Sequence, residues 1–238
     1  MPKKFSDLTN IVVLGSKGFI GGSLVRHLSA NCGFDIRGVD VPELDLTDER
    51  QVCSVLPELV KDSIVIVAAA ITRDRDNSTA AMIDNIKMVA NISHVLGDYP
   101  AGQVIYLSTV DVYGRRNLTL PLNELSHIQP SNYYGISKVT REYILRLACA
   151  DAGSPLAILR LPGVYGPNDT HKSPINVFAT KALEGRPIEV RGNGDELRDF
   201  LYIEDVCRIV EQVILRGIRG TFNIVTGQSH SISHILKV

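Results

Sequence analysis

Short apolar runs alternate with longer amphipathic stretches between residues 11 and 160. The runs are rich in β-branched residues and have no polar face, which is typical of parallel strands covered by helices on both sides. They are Ile11–Leu14, Phe34–Val39, Ser63–Val67, Gln103–Leu107 and Leu156–Leu159. Between them apolar residues recur every four positions, as at Ile20, Leu24 and Leu28, and this spacing predicts helices. The alternation predicts an α/β fold with a doubly wound parallel sheet of the Rossmann kind.

The texture of the chain changes after Pro162, where glycine and proline become frequent. We therefore predict two regions, a Rossmann domain over residues 1–162 and a smaller ligand-binding region over residues 163–238. The second region is expected to lie over the carboxyl ends of the strands, where such sheets bind ligands. The helical pattern of Ile203–Leu215 and the apolar run Thr221–Val225 predict a return to the main sheet.

Composition argues against several classes of partner. The net charge is −1, so no overall field attracts nucleic acid or an anionic membrane. The chain has no apolar run of about 18 residues that would predict a membrane span, and its polar N-terminus does not resemble a signal peptide. The widely spaced Cys32, Cys53, Cys149 and Cys207 match no zinc or redox motif and predict reduced thiols packed in a core. A cytoplasmic protein without a metal site is expected.

The first predicted strand runs directly into a glycine-rich turn with the sequence GSKGFIG. Gly15 permits the tight turn, Gly18 lets the backbone approach a pyrophosphate, and Gly21 allows the following helix to pack closely on the strand. That helix begins near Phe19 and Ile20, where unpaired N–H groups and a partial positive charge favour phosphates. The turn predicts a dinucleotide-binding site, and a simple strand-to-helix connection is the alternative.

Asp40 ends the second predicted strand, about 20 residues after the glycine-rich turn. Its carboxylate can accept hydrogen bonds from the adenosine ribose and would repel a 2′-phosphate, so NAD is favoured over NADP. Lys17 and Arg37 lie nearby in the sequence and leave NADP as an alternative.

Tyr134 and Lys138 are four residues apart in a segment, Tyr133–Ala150, that is predicted to be helical. Both side chains should emerge on one face. An ammonium beside a phenol lowers the phenol pKa, which suits Tyr134 to act as a general acid or base on a substrate oxygen. Ser108 and Thr109 end the preceding predicted strand and offer hydroxyls to the same oxygen. A surface pair and a helix cap are the alternatives for these features taken singly.

These motifs, in this order, resemble those of the extended short-chain dehydrogenase/reductases, and specifically the NAD-dependent epimerase/dehydratase family, whose members mostly transform nucleotide sugars. The resemblance extends from about Ile11 to Val225. The matching segments are GSKGFIG at 15–21, DLTD at 45–48, AAA at 68–70, Asn85, STVDVYG at 108–114, YYGISK at 133–138, LRLPGVYGP at 159–167 and RDFLYIEDV at 198–206.

The resemblance implies roles for individual residues, with NAD as cofactor and a nucleotide sugar as substrate. Asp45 and Leu46 would lie by the adenine. The dinucleotide path would be lined by Ala68, Ala69, Ala70, Asn85 and Pro162.

Thr109 would be the catalytic hydroxyl and Tyr134 the acid or base, while Lys138 would also bind the nicotinamide ribose. The substrate would contact Thr109, Asp111, Tyr134, Gly163 and Arg198, and the guanidinium of Arg198 suits its diphosphate.

Three departures from the family pattern stand out. Gly163 replaces an asparagine that touches substrate in many sugar epimerases. The link from Asp40 to Asp45 is short, as in the family's ketosugar reductases. The sequence ends at Val238, before the elements that usually complete the sugar site, which implies an open pocket, a pocket closed by a partner chain, or a fragment.

The residue after Thr109 bears on the reaction. Sugar dehydratases of the family carry Asp-Glu directly after the catalytic threonine, whereas Val110 stands here, which disfavours dehydration. We favour an NAD-dependent epimerase, with an NAD(P)H-dependent ketosugar reductase or a non-catalytic dinucleotide-binding module as alternatives. A homodimer through the helix that carries Tyr134 is expected, with Val139, Tyr143 and Leu147 as its apolar seam.

Overall fold

The computed structural model describes residues 8–31, 33–114, 121–169, 173–190 and 192–237. The strands are β1 (Asn10–Leu14), β2 (Asp35–Val39), β3 (Ile64–Val67), β4 (Gln103–Thr109), β5 (Leu156–Leu161), β6 (Gly163–Tyr165), β7 (Leu197–Arg198), β8 (Phe200–Tyr202), β9 (Gly220–Asn223) and β10 (His230–Ser231). The helices are α1 (Phe19–Asn31), α2 (Glu49–Val60), α3 (Thr79–Asp98), α4 (Tyr133–Ala152), α5 (Pro174–Leu183), α6 (Ile203–Leu215) and α7 (Ile232–Ile235). A 3₁₀ turn spans Val110–Tyr113.

The main sheet has six parallel strands in the order β2-β1-β3-β4-β5-β9. The predicted doubly wound parallel sheet is therefore confirmed. From β1 the chain winds first to β2 on one side and then to β3 on the other. This reversal of winding opens a crevice at the carboxyl ends of β1 and β3, where sheets of this kind bind ligands.

Successive residues of the central strands enter two different cores. In β1, Ile11 and Val13 pack on the face covered by α1 and α6, whereas Val12 and Leu14 pack on the face covered by α2, α3 and α4. Side chains of a strand alternate between its two faces, so a strand with helices on both sides must be apolar throughout. This double burial explains why the central strands are apolar on both faces. The prediction is wrong for β2 at the edge of the sheet, where Asp35 and Arg37 form an exposed polar face.

The chain after Pro162 is divided between the main sheet and two small strand pairs. β6 pairs with β8 and β7 pairs with β10. α6 packs against α1, and β9 pairs with β5 as the last strand of the main sheet. α6 shares one hydrophobic core with α1, so this core does not separate the two predicted regions. A domain boundary after Pro162 stays a prediction.

The thiols differ in environment. Cys149 and Cys207 are buried and free, as predicted, but the prediction of a core position is wrong for Cys53, which is exposed. Cys53 lies on the outer side of α2, because Val52, Leu56 and Val60 form the buried face of that helix. Cys32 lies outside the described residues. No helix in the described part of the chain is long and apolar enough to span a membrane.

Candidate active site

The turn between β1 and α1 depends on glycine at two positions. Gly15 has a φ of +92°, and a Cβ there would lie 2.6 Å from the backbone nitrogen of Ala69. A Cβ on Gly21 would overlap the carbonyl of Gly15, so only glycine lets α1 start this close to β1. Gly18 is less constrained, since a Cβ there would lie 3.3 Å from the same carbonyl oxygen. The turn therefore requires glycine at Gly15 and Gly21, and its use as a phosphate cradle stays a prediction.

Asp40 fastens this turn to the end of β2. Its carboxylate accepts hydrogen bonds from the backbone N–H groups of Lys17, at 2.9 Å, and Val41, at 2.8 Å. A carboxylate can accept about four hydrogen bonds, so capacity is left for a ribose hydroxyl. The guanidinium of Arg37 pairs instead with Glu43, at 2.6 Å, on the exposed surface.

Asp45 and Leu46 form the turn that leads into α2. The side chain and backbone of Thr47 both donate to the Asp45 carboxylate, at 2.7 and 2.8 Å, and these hydrogen bonds lower the pKa of Asp45. Leu46 is buried, and its carbonyl accepts a hydrogen bond from Asn91 at 2.9 Å. Hydrogen bonds within the turn, from Thr47, and from α3, through Asn91, therefore fix its conformation.

Asn85 clamps the segment that follows β3. Its side-chain amide donates to the Ile71 carbonyl and its side-chain oxygen accepts from the Ile71 N–H, both at 2.8 Å. The segment includes Ala68, Ala69 and Ala70, and Ala69 lies against Gly15. Both polar groups of the Asn85 side chain bond to the backbone of Ile71. Asn85 therefore fixes the segment after β3, which forms one wall of the crevice.

The end of β4 separates two neighbouring hydroxyls. Ser108 is buried and donates a 2.5 Å hydrogen bond to Glu142 in the interior. Thr109 is partly exposed, and its hydroxyl accepts from the N–H of Asp111 at 3.2 Å, capping the 3₁₀ turn. Of the two candidates, Thr109 is therefore the hydroxyl at the mouth of the sheet.

Asp111 links the 3₁₀ turn to the segment after β3. Its carboxylate accepts a 3.1 Å hydrogen bond from Arg73, a residue that the sequence analysis missed. Gly135, in the first turn of α4, lies so near that a Cβ there would be 3.0 Å from the Asp111 carbonyl. This close approach sets the start of α4 beside Thr109 and Asp111.

α4 delivers Tyr134 and Lys138 from its first two turns. Asn132 caps the helix by accepting a hydrogen bond from the N–H of Gly135 at 2.8 Å. The Lys138 Nζ lies 5.5 Å from the centre of the Tyr134 ring and donates to the Leu107 carbonyl at 2.6 Å. The predicted pair is therefore together on one helix face.

The pKa values of Tyr134 and Lys138 are shifted in directions other than those expected. Burial raises the pKa of Tyr134, and the positive charge of Arg141 opposes that rise. Burial and the same arginine bring the pKa of Lys138 well below its usual range. The expected lowering of the tyrosine pKa by a lysine ammonium is not found, because desolvation dominates both groups.

Three buried charged residues beneath the site were also missed. Arg141 donates to the Ala69 carbonyl at 2.7 Å, and Glu142 pairs with Arg160 at 2.7 Å. Arg141 lies three positions after Lys138, so helical spacing places it near the predicted lysine and could have drawn attention to it.

The predicted substrate residues of the last third are spread along the C-terminal strand pairs. Gly163 begins β6 directly after Pro162, and a Cβ there would lie 3.0 Å from the ring of Phe200. A larger residue at Gly163 would thus require that ring to move. Arg198, in β7, pairs with Glu196 at 2.6 Å and keeps 30% of its side chain exposed.

Most of the predicted residues follow the carboxyl ends of neighbouring strands. The glycine-rich turn follows β1, Asp40 follows β2, Ala68–Ala70 follow β3, Thr109 ends β4 and Pro162 follows β5. Because the strands are parallel, these groups share one edge of the sheet.

Comparison with known proteins agrees with this arrangement. The model of the NAD dependent epimerase/dehydratase family matches residues 11–224. The chain is 26% identical to dTDP-glucose 4,6-dehydratase of Salmonella typhimurium over 90% of this chain and 71% of the relative. It is 30% identical to GDP-6-deoxy-D-talose 4-dehydrogenase of Aggregatibacter actinomycetemcomitans over 96% of this chain and 78% of the relative.

A solved structure shows the same likeness. It is that of TunA, an NAD-dependent NDP-hexosamine 5,6-dehydratase involved in tunicamycin biosynthesis, with a TM-score of 0.84 and 26% identity over 96% of this chain and 79% of that one. The family match covers both the glycine-rich turn and the Tyr134–Lys138 helix. The chain therefore belongs to the NAD-dependent epimerase/dehydratase family.

Proposed function

We propose that the protein binds NAD and epimerises a nucleotide-linked sugar by reversible hydride transfer at a sugar carbon. The observation that carries the proposal is the shared edge of the sheet, which holds the glycine-rich turn, Thr109 and the start of the helix that bears Tyr134 and Lys138. The names of the relatives, which include enzymes acting on dTDP- and GDP-linked sugars, support a nucleotide sugar as substrate.

The residues at this edge fit a dinucleotide. Gly15, Gly18 and Gly21 bring no Cβ into the turn that would receive the pyrophosphate, and Asp40 keeps acceptor capacity for the adenosine ribose. The alanines of Ala68–Ala70 offer a wall of small side chains, and Lys138 would hold the nicotinamide ribose. When bound, NAD supplies the hydride acceptor and a positive charge that favours the phenolate of Tyr134.

The chain's own residues would handle the proton and orient the sugar. Tyr134 would take the proton of a sugar hydroxyl as the sugar is oxidised and return it when the sugar is reduced on its other face. The hydroxyl of Thr109 would hydrogen-bond the same sugar oxygen. Arg198 would bind the diphosphate, while Asp111 and Gly163 would border the sugar.

A nucleotide-ketosugar reductase is the second candidate. The relative that is 30% identical is a 4-dehydrogenase, and its name implies net oxidation or reduction rather than epimerisation. The raised pKa of Tyr134 leaves the phenol protonated in the free protein, which suits a residue that donates a proton to a ketone. The two candidates share every residue role and differ in whether the cofactor leaves after each turnover.

One experiment separates the candidates. The purified protein is denatured and its released nucleotides are analysed, and the native protein is incubated with UDP-, dTDP- and GDP-hexoses and their 4-keto-6-deoxy forms. Bound NAD with interconversion of epimers and no added cofactor supports the epimerase. Steady consumption of NADH or NADPH identifies the reductase, and release of water from a hexose identifies a dehydratase; either result overturns epimerisation.

Tyr134→Phe is the key variant, and Tyr133→Phe is its matched control, since Tyr133 is a neighbouring and 42% exposed tyrosine. Loss of turnover in Tyr134→Phe alone supports the proposed acid or base. If neither wild type nor Tyr134→Phe converts any sugar, the result supports a dinucleotide-binding module. If both convert a sugar at the same rate, Tyr134 is not the acid or base and the proposed catalysis fails.

We also propose a homodimer through α4. Tyr143 and Leu147 are 57% and 68% exposed on this helix, and Val139 lies one turn before Tyr143. α3 packs alongside α4 and adds Ile83, which is 58% exposed. Apolar side chains clustered on adjacent helices are typical of a protein interface. A cytoplasmic location stays a prediction.

A further inference from the structure

A groove lies at the end of the main sheet that is opposite to the candidate active site. It is bordered by the last turns of α4, the start of β5 and the start of β9, and its volume is about 410 Å³. Small-molecule sites in proteins have volumes of this order. We call it the rear groove and define it by six of the residues that line it, which are Arg146, Ala150, Ser154, Leu156, Ile158 and Arg219.

The rear groove is separate from the dinucleotide crevice. Leu156 begins β5 at the groove, whereas Leu161 ends the same strand opposite Thr109. Five residue steps along a strand span about 17 Å. Among the described residues that line the groove, none belongs to the predicted cofactor or substrate residues. A ligand in the rear groove would therefore leave the crevice open.

Arg146 brings a positive charge to the groove that its neighbours do not neutralise. Its guanidinium donates a 2.6 Å hydrogen bond to the hydroxyl of Thr221, which is a neutral group. The carboxylate of Glu142 lies 4.0 Å away, but it already accepts two hydrogen bonds from Arg160. Since 43% of the Arg146 side chain is exposed, its remaining N–H groups can meet a ligand.

Arg219 adds a second positive charge from the other side of the groove. It directly precedes β9 and is exposed, and no carboxylate in the described part of the chain forms an ion pair with it. Like every arginine it carries a permanent charge and five donors, which suit the oxygens of a phosphate or a carboxylate. The described lining of the groove thus has two cations and no acidic residue.

The rest of the lining is apolar, with one exception. Leu156 and Ile158 of β5 offer aliphatic side chains between the two arginines' elements. Ser154 is only 6% exposed, and its hydroxyl has no hydrogen-bond partner among the described residues. A buried hydroxyl without a partner is costly, and a polar ligand atom next to Ser154 would satisfy it.

We propose that the rear groove binds a small organic phosphate, with the phosphate held by Arg146 and Arg219 and the organic part on Leu156 and Ile158. Two guanidinium groups match a phosphate monoester, which carries a charge of about −1.5 to −2 at neutral pH. The apolar side chains favour an organic phosphate over inorganic phosphate, because only the former has apolar surface to bury. This binding uses none of the chemistry proposed at Tyr134.

The test titrates phenyl phosphate into the full chain saturated with NAD, and isothermal titration calorimetry measures the Kd. NAD occupies the glycine-rich turn, so the probe cannot bind its phosphate there. We expect saturable binding with a Kd of about 1 mM or tighter, and binding of inorganic phosphate that is at least about tenfold weaker. Absence of saturable binding overturns the proposal. Equal Kd values for the two probes also overturn it, since they would reveal an ion-binding surface only.

Three variants locate the probe. Arg219→Gln removes an exposed charge and should weaken phenyl phosphate binding by about tenfold or more. Ala150→Trp fills the groove from an exposed helix position without changing the charge, and it should abolish binding. Arg208→Gln is the matched control, because Arg208 is a 64% exposed arginine on α6, away from the groove, and should bind the probe like wild type. Equal weakening in Arg208→Gln and Arg219→Gln would contradict a defined site.

The predicted substrate site is the competing location for the probe, because Arg198 is expected to bind a diphosphate there. Arg198→Gln should leave the binding of phenyl phosphate unchanged. Binding that is lost in Arg198→Gln and kept in Arg219→Gln would place the probe in the substrate site and overturn the proposal. The titration requires no turnover, so its outcome is independent of whether any nucleotide sugar is converted.

Discussion

The guanidinium of Arg160 donates two hydrogen bonds to the carboxylate of Glu142, and only 2% of either side chain is exposed. Ser108 donates to the same carboxylate, and Arg160 also donates to the hydroxyl of Tyr113 at 2.8 Å. The hydroxyl of Tyr113 in turn donates to Asn223 at 2.7 Å. The network connects α4 with β4, β5 and β9, so it fixes the strand that carries Thr109, the proposed catalytic hydroxyl.

Breaking this pair should destabilise the fold strongly. Glu142→Gln leaves the buried Arg160 without its counter-ion, and we expect the free energy of unfolding to fall by about 3–5 kcal/mol. The matched control is Glu204→Gln, because Glu204 pairs with Arg208 on the surface with 59% of its side chain exposed. That change should cost less than about 1 kcal/mol. Urea unfolding measures both, and equal effects would contradict the structural role of the buried pair.

Substitution by alanine should have opposite effects on stability at Gly21, in the glycine-rich turn, and at Gly97, in α3. Gly21→Ala places a methyl group against the Gly15 carbonyl and should cost about 1–3 kcal/mol and weaken NAD binding. Gly97, in α3, has open space around a Cβ, so Gly97→Ala should stabilise the protein by up to about 1 kcal/mol. Thermal unfolding and the amount of co-purified NAD test the pair. A Gly21→Ala protein that retains wild-type NAD would argue against the cradle.

Tyr134→Phe tests the acid or base. We expect the rate of sugar conversion to fall by about 10²-fold or more, because proton transfer by a positioned group contributes that much. Tyr133→Phe should keep its rate within about twofold, since no proton transfer is assigned to that hydroxyl. Equal losses in both variants would point to damage at the start of α4 rather than to proton transfer.

The thiols should react in a fixed order. Burial raises the pKa of Cys149 to about 12 and that of Cys207 to about 11, so both stay protonated and shielded at pH 8. Cys53 is exposed and should be alkylated by iodoacetamide before Cys149 and Cys207, as located by peptide mass spectrometry. After unfolding in guanidinium, Cys149 and Cys207 should label as well. Early labelling of Cys149 in the native protein would show that α4 is packed less tightly than described.

The outer face of α4 should control association. Leu147→Lys inserts a charge into the proposed dimer seam and should convert a dimer to a monomer in sedimentation velocity runs. Leu215→Lys is the control, because Leu215 is also half exposed, at 52%, but lies at the end of α6. A wild-type protein that sediments as a monomer would rule the interface out.

The sequence predicted what depends on local pattern. The strands β1, β3, β4 and β5 were recognisable because burial on both faces leaves them largely apolar, and the glycine-rich turn because a Cβ at Gly15 or Gly21 cannot be accommodated. Asp40 and the Tyr134–Lys138 pair followed from their spacing. Each of these features depends on residues that are close together in the sequence.

What the sequence did not reveal depends on contacts between distant segments. Arg141 lies on α4, a helix that also has exposed positions, and Arg160 is a single charged residue within the apolar strand β5. Neither local sequence indicates that an arginine would be completely buried. The pKa of Tyr134 follows the balance between desolvation and Arg141, which exists only once α4 is packed on the sheet. Arg73 meets Asp111 only because β3 and β4 are adjacent in the sheet.

The alternation of side chains along β4 has a consequence for the chemistry. Ser108 and Thr109 both carry a hydroxyl and are adjacent in the chain. The Ser108 hydroxyl bonds to Glu142 in the interior, whereas the Thr109 hydroxyl lies at the mouth of the sheet. Deleting a single residue upstream in β4 would turn Thr109 toward Glu142 and leave Val110, which has no hydroxyl, at the mouth of the sheet. Whether a hydroxyl is present at this edge thus depends on whether its position in the strand is odd or even.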